Sequence, residues 1–415
     1  MFDIKRPELL LPAGSLEVLK VAVDYGADAV YIGGDAFSLR AKAKNFTRDE
    51  MAEGIAYAHA HGVKVHVTAN ILAHEYDLEA AKNYFSELSE LGPDALIISD
   101  PGMFMLAKEL CPDIELHVST QANNTNSGSF NFWYAQGAKR VVCARELSLK
   151  EIAAIRKNIP SDMEVECFIH GAMCISYSGR CLLSAYFTGR DANRGACTHP
   201  CRWKYFVTEE TRPGVYLPVE ENERGTYIFN SRDLCMIEHI PELIAAGIDS
   251  FKIEGRMKTA LYVAMVGRTY RRAIDWYMDS ADEYTAHMDW LRQEIRKCTY
   301  RQYSTGFYFG KPDENSQIYD ANTYVTGYRY LGCAGVSDGK GSVFLIQKNK
   351  FCVGDEIEIM KADGRDVPVK VISIRDIEGN KMDSCPHAAQ ELWIELSEEP
   401  AQGDILRVRT EEYTE

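Results

Sequence analysis

The feature that most constrains this fold is a regular alternation of short apolar runs with helical patterns through the first two thirds of the chain. Continuous apolar runs separated by helices are typical of a parallel sheet that is covered on both faces. The runs span residues 9–14, 29–34, 64–70, 95–100, 114–120, 140–146, 164–170 and 250–255. Eight such units predict a closed (β/α)₈ barrel of the TIM type. An open doubly wound sheet is the alternative, although its GxGxxG fingerprint is absent after the first run.

The intervening segments carry helix signals. Ser15 is placed to cap one helix at its N-terminus, and Gly26 is placed to end it. Thr47 precedes a second helix, in which Met51, Ile55 and Ala58 recur along one face. Both patterns predict helices that pack one apolar stripe against the sheet.

One connection is much longer than the others. After the seventh run the chain continues for about 60 residues before the next predicted helix, residues 235–246, which Cys235 would begin. This insertion, at about 171–228, leaves from the end of a strand at which barrel enzymes place their active sites. The sequence therefore predicts a barrel domain over 1–282 with a functional insertion after strand 7.

The pattern changes beyond residue 320. Alternating runs at 341–346, 356–360, 367–374 and 392–396 are joined by turns that contain glycine and aspartate. They predict a small C-terminal all-β barrel over 321–415. A helical bridge is expected over 283–320.

The insertion concentrates cysteines. Cys174, Cys181, Cys197 and Cys201 fall within 28 residues of sequence, and Cys235 follows. Thiolates are soft ligands that suit iron–sulfur clusters, zinc or Cu(I). Structural zinc sites usually have two close cysteine pairs, so the irregular spacing favours a [4Fe–4S] cluster and fits zinc less well. Cys201 is favoured as the fourth ligand, with Cys235 as the alternative.

The remaining sequence features favour a cytoplasmic protein without a membrane partner. No apolar run approaches the roughly 20 residues that span a bilayer, and the N-terminal apolar run is too short for a secretory signal. In a reducing compartment, clustered thiols indicate metal or redox chemistry more often than disulfides. Six further cysteines are expected to pack as small apolar residues: Cys111, Cys143, Cys167, Cys298, Cys333 and Cys352.

Polar residues gather where the predicted strands end. Arg145, Lys252 and Arg256 are candidates to bind a carboxylate or phosphate, and Gln121 and Asn123 are candidates to bind substrate. His170 is either a proton donor or a packed residue. Glu254 is a second candidate catalytic group or a structural ion-pair partner. The sequence has no HExxH, GxSxG or P-loop motif, so it shows no known hydrolytic constellation.

The net charge of −15 argues against a non-specific polyanion binder. A local basic face is nevertheless expected from six cations, with Trp203 and Lys204 near it: Lys252, Arg256, Lys258, Arg268, Arg271 and Arg272. Aromatic residues among cations can stack bases and hold phosphates, although a solvated helix face would look the same in sequence.

Several stretches resemble the collagenase-like peptidase family of unassigned mechanism. They are PELLLPAGSLEVLKVAVDYGADAVYIGG, HVSTQAN, FIHGAMCISYSGRCLLS, NRGACTHPCRWKY and FKIEGRMK. The resemblance runs from about residue 7 to 272 and resumes in the C-terminal region. It implies a [4Fe–4S] cluster on Cys174, Cys181, Cys197 and Cys201. It also implies hydroxylation, because studied members act on tRNA, ribosomal RNA or ubiquinone precursors without oxygen or with prephenate.

Within this family the chain is most similar to the branch that acts on tRNA. That branch implies hydroxylation of wobble uridine to 5-hydroxyuridine, with prephenate as cosubstrate and with either a homodimer or a related partner subunit. Two features depart from it, namely the extra Cys235, which is found in the ribosomal RNA type, and the strong acidity. Ribosomal RNA cytidine hydroxylation, peptidase activity and a non-catalytic RNA-binding role are the alternatives. A thiolate-only site lacks the open metal position and general base that a metallopeptidase needs.

Overall fold

The computed structural model describes residues 5–38, 45–173, 183–190, 197–198, 206–207, 217–218, 230–310, 317–318 and 327–410. By internal contacts the chain divides into two units. The first comprises residues 1–19, 28–257 and 301–324, and the second 20–27, 258–300 and 325–415. Residues 258–300 thus group with the C-terminal strands. Contact grouping and folding domains need not coincide, so the domain limits at 282 and 320 stay predictions.

The first unit is a closed barrel of eight parallel strands, which confirms the predicted fold class. The strands are β1 (Glu8–Pro12), β2 (Ala29–Gly33), β3 (Lys64–Ala69), β4 (Ala95–Ile98), β5 (Glu115–Val118), β6 (Arg140–Val142), β7 (Glu164–Gly171) and β12 (Ser250–Ile253). Each pairs with the next in order, and β12 pairs with both β7 and β1 to close the ring. All eight strands coincide with the eight apolar runs, because strands covered on both faces need continuous apolar sequence.

Helices follow the strands as the sequence signals predict. They are α1 (Leu16–Asp24), α2 (Arg48–Ala60), α3 (Leu78–Leu91), α4 (Pro101–Leu110), α5 (Ser127–Gln136), α6 (Leu149–Lys157) and α8 (Ile240–Ala245). Single 3₁₀ turns lie at Glu75–Asp77 and Thr120–Ala122. Thr47 caps α2 through a reciprocal pair with Glu50, and Met51, Ile55 and Ala58 are buried. Among the described helices, none is both long and apolar enough to cross a bilayer.

The insertion after β7 is described only in part. It includes α7 (Leu183–Thr188), the paired strands β8 (Phe206–Val207) and β9 (Leu217–Pro218), and β10 (Asn230–Ser231). β10 pairs with β14 (Gln317–Ile318). The next strand, β11 (Asp233–Cys235), runs antiparallel to β7 and parallel to β13 (Tyr303–Ser304).

The position of Cys235 corrects one prediction. Cys235 ends β11, and the following helix begins only at Ile240. The predicted helix over 235–246 is therefore wrong in its first turn. The backbone of Leu234 and Cys235 instead pairs with the end of β7, and Pro241 at the second helical position fixes the later start.

The second unit combines three helices with an antiparallel sheet. The helices are α9 (Ala260–Asp279), α10 (Ala281–Ala286) and α11 (Met288–Arg296). The strands are β15 (Tyr328–Ser337), β16 (Ser342–Ile346), β17 (Glu356–Met360), β18 (Asp366–Asp376), β19 (Lys381–Met382), β20 (Glu391–Leu396) and β21 (Ile405–Arg409). Six of them close into a ring through the β17–β18 pairing, with β19 beside β18. Four match the predicted runs, whereas β15, β19 and β21 were missed.

Three of the six cations of the predicted basic face are buried. Lys252, Arg256 and Arg268 are 4%, 6% and 1% exposed. Arg268 donates to Asp366 and forms a buried ion pair with Glu294, both within the second unit. The basic-face interpretation is therefore wrong for these three cations, whose side chains are buried, whereas Lys258, Arg271 and Arg272 are partly exposed.

Candidate active site at the barrel mouth

The C-terminal ends of the barrel strands form one mouth, where (β/α)₈ enzymes place their active sites. The seventh strand ends at Gly171, three residues before Cys174 in the sequence. Gly171 has a φ of 110°, and any side chain there would strike the backbone oxygen of Glu254. The chain therefore enters the cysteine-rich insertion through a turn that requires glycine.

The predicted metal ligands are only partly within the described residues. Cys174, Cys181 and Cys201 lie outside them, whereas Cys197 and Cys235 lie within them and are partly exposed. Cys235 pairs in register with His170, beside the start of the insertion. Cysteine thiolates are the donors that iron–sulfur clusters use, so the donor chemistry fits such a cluster. The choice between Cys201 and Cys235 stays a prediction.

His170 is buried at the end of β7. It is 1% exposed, its ring lies 5.3 Å from that of Tyr303, and its carbonyl oxygen accepts from the backbone N–H of Glu254. The strand that carries Cys235 pairs with β7 beside it, and a buried ion pair between Asp233 and Arg301 at 2.8 Å ties that strand to the segment before β13. The surroundings of His170 thus lock its backbone and ring in place.

Arg145 lies across the mouth, three residues beyond the end of β6. Its Nη1 donates to the carbonyl oxygen of Ala172 at 2.7 Å, and its Nη2 lies 3.7 Å from Glu254 Oε2. The guanidinium carbon lies 4.0 Å from the centre of the Phe168 ring, which provides a cation–π contact. Arg145 and Glu254 are thus brought together, as candidate binding and catalytic residues of one site.

Arg256 is held by three small residues, Gly33, Ser38 and Thr68, which together form what we call the collar. Its Nη1 donates to Thr68 Oγ1 at 2.6 Å, and that hydroxyl also contacts Ser38 Oγ at 3.0 Å. A methyl group at Gly33 would overlap both Arg256 Nη1 and Ser38 Oγ. The guanidinium is therefore fixed at the mouth by close packing and by a neutral hydroxyl.

Lys252 lies deeper, inside the barrel. Its Nζ is 2.7 Å from Glu166 Oε1 and 4.6 Å from the centre of the Tyr31 ring. Burial alone would raise the pKa of Glu166, but the charges of Lys252 and Arg140 outweigh it and lower that pKa to about 2. Lys252 is thus a buried cation with a carboxylate partner, and its predicted contact with substrate is untested.

The interior also contains a polar network that the sequence interpretation missed. Arg140 donates to Glu8, Glu164 and Glu166. The rings of His66 and His117 meet edge to face with their centres 4.8 Å apart, and both residues are 1% exposed. Burial lowers the pKa of His66 to about 4 and that of His117 well below its usual value. The available signal was charged residues and histidines at alternate positions within apolar strands.

Two other polar residues near the strand ends serve local structure. Asp100 Oδ1 accepts from the N–H of Met103 and so caps α4, and Ser119 Oγ accepts from the N–H of Gln121. Gln121 lies in the 3₁₀ turn that follows β5, and Asn123 is the residue that ends this turn.

Comparison with known proteins covers nearly the whole chain. Residues 14–318 match the model of peptidase family U32, and residues 326–407 match that of the peptidase family U32 C-terminal domain. The chain is 39% identical to tRNA hydroxylation protein P1 of Bacillus subtilis (strain 168), over 97% of this chain and 95% of that protein. It is 36% identical to tRNA hydroxylation protein P of Escherichia coli (strain K12), over 95% and 94%.

Two further similarities are partial. A 23S rRNA 5-hydroxycytidine synthase of Escherichia coli (strain K12) is 39% identical over 65% of this chain and 39% of that protein. The solved structure of a U32 peptidase superposes with a TM-score of 0.40 at 15% identity, over 60% of this chain and 94% of that one.

Proposed function

The chain belongs to peptidase family U32, and from this membership we propose that it supports hydroxylation of RNA, with tRNA as its substrate. The observation that carries the proposal is identity of 36–39% across at least 95% of the chain with relatives that are named tRNA hydroxylation proteins. Similarity of this extent covers the barrel, the insertion and the C-terminal unit together. The shorter match to the ribosomal RNA synthase makes ribosomal cytidine the second candidate target.

We further propose that the product is 5-hydroxyuridine at the wobble position and that the reaction uses prephenate and a [4Fe–4S] cluster. Cys174, Cys181, Cys197 and either Cys201 or Cys235 would hold the cluster, which supplies redox chemistry when it is bound. The concentration of cysteines in the sequence after β7, and the register of Cys235 with His170, support this assignment. A homodimer or a paired related subunit is part of the same proposal.

The cations of the mouth suit a carboxylate cosubstrate. Arg256 has a fixed guanidinium, and Arg145 lies stacked on Phe168. Guanidinium groups bind carboxylates with two parallel hydrogen bonds, and fixing them beforehand reduces the entropy lost on binding. In this proposal Arg256 orients the cosubstrate, and Lys252 lies deeper in the barrel, 2.7 Å from Glu166.

The test is nucleoside mass spectrometry of tRNA and ribosomal RNA from cells that lack the protein. We expect 5-hydroxyuridine and its derivatives to be missing from tRNA and to return with the wild-type gene and with a Cys352→Ser control. The Cys174→Ser variant should not restore them. Loss of ribosomal 5-hydroxycytidine alone would move the function to ribosomal RNA, and no change in either RNA would refute the proposal.

A further inference from the structure

The turn after β5 holds one side chain in an unusual conformation. Asn123 ends the 3₁₀ turn Thr120–Ala122 with a φ of 54°, in the left-handed region that non-glycine residues seldom occupy. Its backbone N–H donates to the oxygen of Thr120 at 2.9 Å. Asparagine tolerates this conformation better than most residues, and such conformations are concentrated at functional sites.

The orientation of the Asn123 amide is fixed. Its Nδ2 donates to the carbonyl oxygen of Gln121 at 2.9 Å, so Oδ1 must be the atom that points away from the turn. Oδ1 is buried, and no donor in the described part of the chain reaches it. A buried acceptor without a donor costs about 1–3 kcal/mol. A bound ligand that presents an N–H group would remove this cost.

A matching donor lies on the next strand end. Arg145 Nε is buried, and it too has no hydrogen-bond acceptor among the described residues. The two strand ends are joined directly, because Asn124 and Cys143 form a parallel bridge and the N–H of Ala144 donates to Asn124 O at 3.1 Å. One fixed acceptor and one fixed donor therefore lie on adjacent strand ends at the mouth.

We propose that Asn123 Oδ1 and Arg145 Nε bind the edge of a uracil base. The N3–H of uracil would donate to Oδ1, and one of its flanking carbonyl oxygens would accept from Nε. Cytosine carries a lone pair at N3 and would leave Oδ1 facing another acceptor. The inference rests on the proposed function and adds to it the group that distinguishes uridine from cytidine, because a buried polar group rejects a base that cannot satisfy it.

The test is equilibrium binding of the full chain to three labelled RNA stem–loops that differ only at the target nucleotide. The first carries uridine, the second 3-methyluridine, which lacks the N3–H, and the third cytidine. For the wild type we expect binding to weaken about 10-fold or more with either change, as for loss of a buried hydrogen bond that a site was built to make. The assay measures binding alone and therefore does not depend on catalytic turnover.

The informative variant is Asn123→Gly, since glycine adopts the same backbone conformation without strain. It should bind the uridine stem–loop weakly and the other two equally weakly. An Asn131→Ala control, on the exposed face of α5, should keep the full preference. Equal wild-type binding of uridine and 3-methyluridine, or a preference retained by Asn123→Gly, would overturn the base assignment and leave RNA binding intact. Failure to bind any stem–loop would overturn the tRNA proposal and the base assignment with it.

Discussion

Lys252 Nζ lies 2.7 Å from Glu166 Oε1 inside the barrel, and neither residue is more than 4% exposed. The pair is part of a larger network, because Glu166 also accepts from Arg140 at 3.0 Å and contacts Ser250 Oγ. Removing one member of such a pair leaves a buried charge without its partner, and this costs far more than the loss of a surface pair.

We expect Glu166→Gln to lower the free energy of unfolding by about 3 kcal/mol, since Gln preserves the shape of the side chain and removes its charge. Chemical denaturation of the full chain, followed by circular dichroism, measures this change. Glu79→Gln is the matched control, because Glu79 forms a Lys–Glu pair with Lys82 in which the side chains are 82% and 51% exposed. It should cost far less, because an exposed ion pair is solvated and contributes little to stability. Equal effects of the two changes would contradict the burial argument.

Stability should fall as the pH falls below neutral, and His66 should contribute to the fall. Burial lowers the pKa of His66 from 6.5 to about 4, so between these values the unfolded chain takes up a proton that the folded chain does not. The loss of folding stability that His66 causes is absent above pH 6.5 and reaches about 3 kcal/mol near pH 4. Denaturation curves between pH 7.5 and 4.5 should be less pH-dependent for His66→Gln. An unchanged slope would exclude His66 as a source.

A second acid transition should follow at lower pH. The pKa of Glu166 is lowered from 4.5 to about 2, so the stabilisation by its carboxylate is complete above 4.5 and is lost as the pH falls towards 2. Glu166→Gln should therefore become more similar to the wild type in stability below pH 4 than at pH 7. A constant difference across this range would argue against an ionised Glu166.

Cluster content should identify the fourth ligand. We expect Cys174→Ser, Cys181→Ser and Cys197→Ser to abolish bound iron and sulfide in protein purified without oxygen, because serine is a poor ligand for such clusters. Cys201→Ser and Cys235→Ser distinguish the alternatives, and only one of them should do the same. Cys352→Ser should retain the cluster. Full iron content in Cys174→Ser would refute the ligand set.

The collar around Arg256 should matter for activity as well as for folding. Thr68→Val keeps the volume and removes the hydroxyl that accepts from Arg256 Nη1. Hydrogen bonds to charged groups contribute about 1.5–3 kcal/mol, so we expect formation of 5-hydroxyuridine to fall by about 10-fold or more. The same measurement on Lys252→Arg tests whether the geometry of the Lys252 ammonium also affects the formation of 5-hydroxyuridine. Normal product levels in Thr68→Val would mean that the position of Arg256 is not limiting.

The barrel could be predicted because its strands are apolar on both faces and its helices carry caps that sequence displays, such as Thr47 and Ser148. The interior network could not. Glu8 is 132 residues from Arg140 in the sequence, and only the closure of the ring brings it within hydrogen-bond distance of Arg140. In the sequence, a charged residue in a short strand looks like a surface residue as long as its partners are unknown.

The candidate site, too, could be predicted from the sequence only in part. Arg145, His170 and Glu254 were predicted because polar residues end apolar strands. Arg256 and Lys252 were also predicted, but their burial was not, because it depends on Gly33, Thr68 and Glu166 in other strands. β15 was missed because bulges and glycine interrupt its alternation, and β21 was missed because its first three residues are all buried and do not alternate.

The pairing of β1 with β12 sets an order for synthesis of the chain. Glu8 lies in register with Ser250, so β1 must wait for the ribosome to make more than 200 further residues before its second neighbour exists. At 5–20 residues per second this delay is roughly 10–50 s. The whole cysteine-rich insertion is translated within that interval, so its cysteines leave the ribosome before the barrel can close.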